Sequence, residues 1–326
     1  MRRRLVVHLA TATAVVAAGV VAGAAPASAD LVTYCIGTGG AVTVPNDLYV
    51  PPNESCALTG TIITGNVSVA AGANLVVAGG RVSGNVQVAA NGYLDASNSN
   101  VGGTVTVASG GYGVYLKSAQ TGAVTVRAKG SSTIDSFLFV EGSTVSGSVA
   151  ANAGEIRLDQ NTQVTGSVNS SGSYYTDVHD SFVDGQLSVL NSATGSVVCG
   201  SAVRGKSTFA GNLGGVQLGP NGGLDGCASG GYFGKDVSVT NTTGGVNVDD
   251  NIIDGVLTVQ SNSPAAVVAA NNRIRGGVVG DQAAPAAAKR SAKALTADRE
   301  RAGDARATER RTGAVAEATA AGPANL

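Results

Sequence analysis

Ile63-Thr64-Gly65-Asn66-Val67-Ser68-Val69 returns nineteen residues later as Val82-Ser83-Gly84-Asn85-Val86-Gln87-Val88. The phrase is an apolar residue, a glycine two places on, and a pair of aliphatic residues with one residue between them. Its glycine recurs at 65, 84, 103, 122, 147, 166, 185, 205, 255 and 276, and Lys235 takes the glycine's place once. Successive spacings are 19, 19, 19, 25, 19, 19, 20, 30, 20 and 21 residues. A near-constant period of this length marks a repeat architecture, in which each unit buries its apolar face against its neighbours. Inside the phrase, apolar and polar residues alternate with the period of a strand that has one buried face.

Working outward, the position two before the marker runs from Ile63 and Val82 to Ile253 and Ile274. It is apolar in every copy except Gln120, so this column is expected to point inward, with Gln120 meeting backbone groups there. Further back lie Asn98, Asn161, Asp180 and Asp250, which tolerate left-handed backbone angles, each followed by Ser, Thr or Asn. That pair predicts a tight corner lined by a polar ladder. Stretches such as Asn74-Leu75-Val76-Val77 and Glu155-Ile156-Arg157-Leu158 supply a second strand per repeat.

The expected fold is therefore all-β, a single-stranded parallel β-helix (β-solenoid) of about 11 turns of 19–21 residues over 61–280. At ~4.8 Å per turn the rod is about 50 Å long. The absence of proline from 53–219 agrees, because each strand must donate to its neighbours. A right-handed winding is expected, since the inserts of 25 and 30 residues break the strict six-residue period usual in left-handed forms.

Residues 1–29 read as a secretory signal peptide, with Arg2–Arg4, an apolar run and Ala27-Ser28-Ala29 before Asp30. Export predicts an extracellular protein, not membrane-held after cleavage, whose four cysteines form two disulfides. Three pairings are possible on paper. Spacing favours Cys35–Cys56, stapling an N-terminal cap over 30–60, and Cys199–Cys227, pinning the enlarged turn 205–235. Over 281–326 there are 17 Ala and only three larger aliphatics, which reads as a flexible or partly helical Ala/Arg-rich tail without an apolar stripe for docking, a solenoid-capping helix being the alternative.

Glycine is abundant, 47 of 326, without a collagen period, and charged residues are only 13%. Residues 30–280 carry 10 Lys+Arg against 16 Asp+Glu, so nucleic-acid binding has no electrostatic basis. With Asn251-Ile252-Ile253-Asp254-Gly255 and Asn271-Asn272-Arg273-Ile274-Arg275-Gly276, the repeat resembles right-handed parallel β-helix proteins of the pectin-lyase-like superfamily. The short Val-rich turns are also similar to those of bactofilins, which polymerise. The superfamily resemblance implies polysaccharide lyases, hydrolases, adhesins and structural rods alike.

Three sets of residues could carry chemistry. Asp249, Asp250, Asp254, Arg273 and Arg275 could supply a lyase base beside a carboxylate-bound calcium. Asp180 and Asp250 share a column three turns apart, roughly 14 Å, too far for a glycosidase pair. The plainer expectation is ion pairs across adjacent turns, Asp184 with Arg204 and Asp254 with Arg275, with His179 a solvent-facing turn residue. Tyr93, Tyr112 and Tyr175 stand ten residues before their markers, either as a sugar-stacking column or as a ladder stabilising the stack. The expected function is a secreted, non-enzymatic structural or adhesive rod that binds extracellular polysaccharide or itself, with no cofactor. The alternative is a polysaccharide lyase or glycoside hydrolase, and calcium enters only there.

Overall fold

The computed structural model describes residues 31–284 and 292–326, with side chains from 299 onward in the helix. The signal peptide read over 1–29 lies outside the described residues.

The chain winds into three parallel sheets of 13, 13 and 12 strands. Each turn gives one strand to each sheet, as in Val86–Val88, Tyr93–Ser97 and Asn100–Val101. Pairing is in register from turn to turn: Val86 lies beside Val67 and Val105, and Leu94 beside Leu75 and Val114. The inward residues, chiefly Val, Leu and Ile, form one continuous core from Cys35 to Ala266. β-branched residues suit these positions because every strand is buried on its inner face and stacked on a like neighbour.

Two corrections come from the ends. Residues 30–60 are not a separate cap, because Val32–Tyr34, Gly37–Gly39 and Thr43–Val44 already form one strand of each sheet. The solenoid thus starts before the first recognisable phrase and has about 12 turns. Nor is the tail flexible over its described part: Ala292–Ala321 is one helix, α1, followed by a short extended end. Thr38 N–H donates to the Gly322 carbonyl and Ala324 N–H to the Thr38 carbonyl, both at 2.8 Å. The chain's last residues therefore pair with the first strand of the second sheet.

Gln120 points outward, and Thr121 takes the inward place beside Val101 and Val145. The corner between Thr121 and Val124 is one residue shorter than that between Val101 and Val105, so counting back from the glycine lands one position early. The same slip moves Tyr112 out of the Tyr93 column, where Gly113 stands.

The corners are left-handed and laddered. Asn98, Asn161, Asp180 and Asp250 have φ of 49°, 64°, 44° and 57°. One residue on, side-chain oxygens accept from the preceding turn: Gly80 N–H to Ser99 Oγ at 3.2 Å, Ser181 N–H to Ser201 Oγ at 3.1 Å, Asn251 N–H to Asn272 Oδ1 at 2.9 Å. These bonds satisfy backbone donors that the bend withdraws from the sheet ladders.

Candidate functional site

The outer faces of the three sheets differ. On the second sheet the outward side chains include Tyr93, Asp95, Phe137, Phe139, Arg157, Tyr175 and Asp177, all buried. Helix α1 covers them. Its contact stripe is made of small residues, Gly303, Ala307, Ala314 and Ala318, with the three alanines at most 4% exposed. A Cβ on Gly303 would meet Phe139 Cζ at 3.0 Å, so the helix lies as close as glycine allows.

Arginines flank that stripe. Arg299 sits over Tyr175, Arg306 over Phe137 and Arg310 over Tyr112, at 3.6, 4.8 and 4.6 Å from the ring centres. Arg311 pairs with Asp95 at 2.8 Å, and Arg157 of the sheet pairs with Asp304 of the helix. At the far end Ser55 Oγ donates to Glu317 at 2.6 Å. Helix and sheet march together: from Arg299 at Tyr175 to Glu317 at Ser55, ~27 Å of helix matches six strand steps, ~29 Å.

The tyrosines singled out as a sugar-stacking column therefore belong to an internal seam. Tyr93 is fully buried and donates to Asp95 Oδ2 at 2.9 Å. Burial, with the Asp95 charge, pushes the Tyr93 phenol far above its ordinary pKa. Asp95 is also held above the usual carboxylate range, because burial outweighs the Arg311 charge. Tyr112 packs edge-on against Tyr93 at 6.1 Å and Phe137 at 5.7 Å. Tyr175 is 2% exposed beneath Arg299.

Beyond the helix, the loop within 219–231 covers the same face. Cys199 and Cys227 are paired at disulfide distance, Cα to Cα 5.5 Å, as are Cys35 and Cys56 at 5.6 Å. Gln217 on the sheet clasps the loop, donating to the Asp225 carbonyl at 2.8 Å and accepting from Leu224 and Asp225 N–H at 2.9 Å. His179 is not a solvent-facing turn residue. It ends the strand Tyr175–His179, its Nδ1 lying 3.8 Å from Asp177 and 3.5 Å from Asp225. Asp177, then Asp225, push the His179 pKa up to about 11 against the opposing effect of burial.

The lyase candidates are spread over two sheets. Asp249 falls on the second sheet's outer column and accepts from Asn221 Nδ2 at 2.9 Å. Asp250 is a left-handed corner residue. Asp254 lies on the third sheet's outer side, taken up by Arg275 at 2.7 Å and by the Tyr232 hydroxyl at 2.7 Å. Arg204 and Asp184 make the matching pair three turns earlier at 2.9 Å. Arg273 and Asp250 share a shallow depression of about 390 Å³, but Asp249, Asp254 and Arg275 do not line it. That depression thus gathers two of the five.

The first sheet is open. Its central outward column runs Tyr34, Tyr49, Ser68, Gln87, Thr106, Thr125, Ala150, Asn169, Ser188, Thr208, Ser238 and Thr258, none of them buried. A trough of about 490 Å³ passes over Tyr49, Ser68, Gln87 and Thr106 to Arg127. Tyr34 braces Tyr49 edge-on at 5.4 Å. In the sequence this column shows no regular grid, because its hydroxyl and amide residues change identity from turn to turn, as from Gln87 to Thr106.

Compared with protein-family models, with curated proteins and with solved structures, the chain matches none. What stands is the architecture, a parallel β-solenoid with a docked helix. Among the described residues no helix is long and apolar enough to cross a membrane.

Proposed function

We propose that this protein is an exported, non-enzymatic β-solenoid that binds extracellular polysaccharide along the trough of its first sheet. The trough itself carries this reading. It offers one aromatic ring, Tyr49, a row of neutral donors and acceptors in Ser68, Gln87 and Thr106, and a cation in Arg127. Sugar rings present an apolar face that an aromatic ring can stack on and hydroxyls that amides and hydroxyls can pair with. Arg127 adds a partner for a carboxylated sugar. From Tyr49 to Thr106 is three strand steps, ~14 Å, room for a short stretch of linked rings. Two paired cysteines per half of the stack fit an oxidising compartment and so support export.

The test is retention of the purified chain on a panel of immobilised neutral and uronate-containing polysaccharides, with product release assayed in parallel. Retention on one polymer that is lost in Tyr49→Ala and Gln87→Ala, without product, supports the binding reading. Product release that disappears in Asp250→Ala or Arg273→Ala replaces it with a lyase or hydrolase on a pectin-lyase-like scaffold.

A further inference from the structure

Three carboxylates meet where the helix, the stapled loop and the second sheet come together. Asp177 comes from the strand Tyr175–His179, Asp225 from the loop held by Cys199–Cys227, and Glu300 from the first turns of the described helix. One oxygen of each lies within 4.8 Å of the other two. Oxygens around a calcium ion, each 2.3–2.6 Å from it, have this spread.

A second observation is independent of that proximity. Asp177 and Asp225 are only 4% and 5% exposed, and Asp177 Oδ1 and Asp225 Oδ2 receive no hydrogen bond. Burying a carboxylate oxygen without a donor is costly, and such groups are ordinarily paired or bound to a metal. The same two oxygens face His179 Nδ1 at 3.8 and 3.5 Å, longer than a good hydrogen bond. Even a protonated His179 offsets one charge of three. Arg299 lies over the Tyr175 ring, and Arg157 pairs with Glu141 and Asp304.

We infer that Asp177, Asp225 and Glu300 bind a divalent cation of the calcium class, which clamps the helix and the stapled loop onto the second sheet. Hard oxygen donors select calcium over zinc, which prefers nitrogen and sulfur in a tetrahedron. The neighbouring Cys199 sulfur is committed to Cys227. The inference goes beyond the polysaccharide reading and stands apart from it: the clamp and the trough lie on different sheets.

The experiment is calorimetric titration of calcium chloride into the chelator-stripped, oxidised full chain, with thermal melting in parallel. One ion per chain with Kd about 0.1–1 mM, typical of extracellular calcium modules, and a raised melting temperature are expected. Glu300→Gln, at a partly buried helix position, and Asp225→Asn should each weaken binding at least tenfold and abolish the calcium-dependent part of the melting shift. Absence of saturable calcium binding up to ~10 mM overturns the clamp. So does binding that survives in both variants, or selective uptake of zinc.

Discussion

The first and second sheets share one backbone plan, with in-register parallel strands and the same Val/Leu interior, yet their outer faces have opposite fates. The second sheet points aromatic rings and charges outward, and the chain's own C-terminal helix and stapled loop bury them. The first points hydroxyls, amides and a tyrosine pair outward and leaves them open. In a solenoid, then, the period specifies the stack, while the chemistry of the outward column decides which side is covered. Large rings and carboxylates on adjacent turns make a side that water alone does not satisfy, whereas small neutral polar groups make one that needs no cover.

The most severe way to break this contrast is to remove the cover. Deletion of residues 292–326 uncovers Tyr93, Phe137, Phe139 and Tyr175, each worth about 1.5–3 kcal/mol when buried. The truncated chain should melt far lower, bind a hydrophobic dye and self-associate; an unchanged melting curve would dissolve the distinction between the two faces. Next comes Arg311→Ala, which strands the Asp95 carboxylate, fully buried in the structure. A loss of about 2–3 kcal/mol in urea unfolding is expected, below the usual figure for a broken buried pair because Arg311 keeps one-third exposure.

Asp95 also supplies a test with acid. Burial holds its pKa above the unfolded value of 3.8. Its stabilising contribution is therefore fullest below about 3.8 and is lost as pH rises through the higher folded value. Asp95→Asn should flatten that segment of the stability–pH curve, and a slope of unchanged size would contradict the assignment. Crowding the seam is milder still. Ala307→Leu forces a branched side chain against Tyr93 and should cost about 1–3 kcal/mol. At the open face, Thr106→Ala should shift stability by no more than ~0.5 kcal/mol while reducing polysaccharide retention.

The stack was legible because the inner column repeats a few aliphatic residues at a fixed interval. Ile63, Val82, Val164 and Ile253 each fell where the period put them, as did the left-handed corners at Asp180 and Asp250. Glycine is a softer landmark, since one shortened corner displaced the reading of both Gln120 and Tyr112. The helix was legible only as the alternative to a flexible tail, for a different reason. Its seam is a stripe of Gly and Ala with flanking Arg, and complementarity to aromatic rings on the sheet is visible only once both partners are folded. Asp177 and His179 share one strand, but Asp225 and Glu300 are far from them in sequence, and only the disulfide-held loop and the helix bring those two alongside.

The return of the C-terminus to Thr38 gives the molecule a built-in ruler. Solenoids ordinarily lengthen by duplicating a turn, with little penalty to the rest. Here one added turn would raise the stack by ~4.8 Å, which α1 could follow only by gaining about 3.2 residues. Those residues would also rotate the helix by about 320°, leaving its small-residue stripe some 40° out of phase with the sheet. Changes in the number of turns and in the length of the C-terminal helix are thus mechanically coupled, and the rod can be neither stretched nor trimmed one repeat at a time.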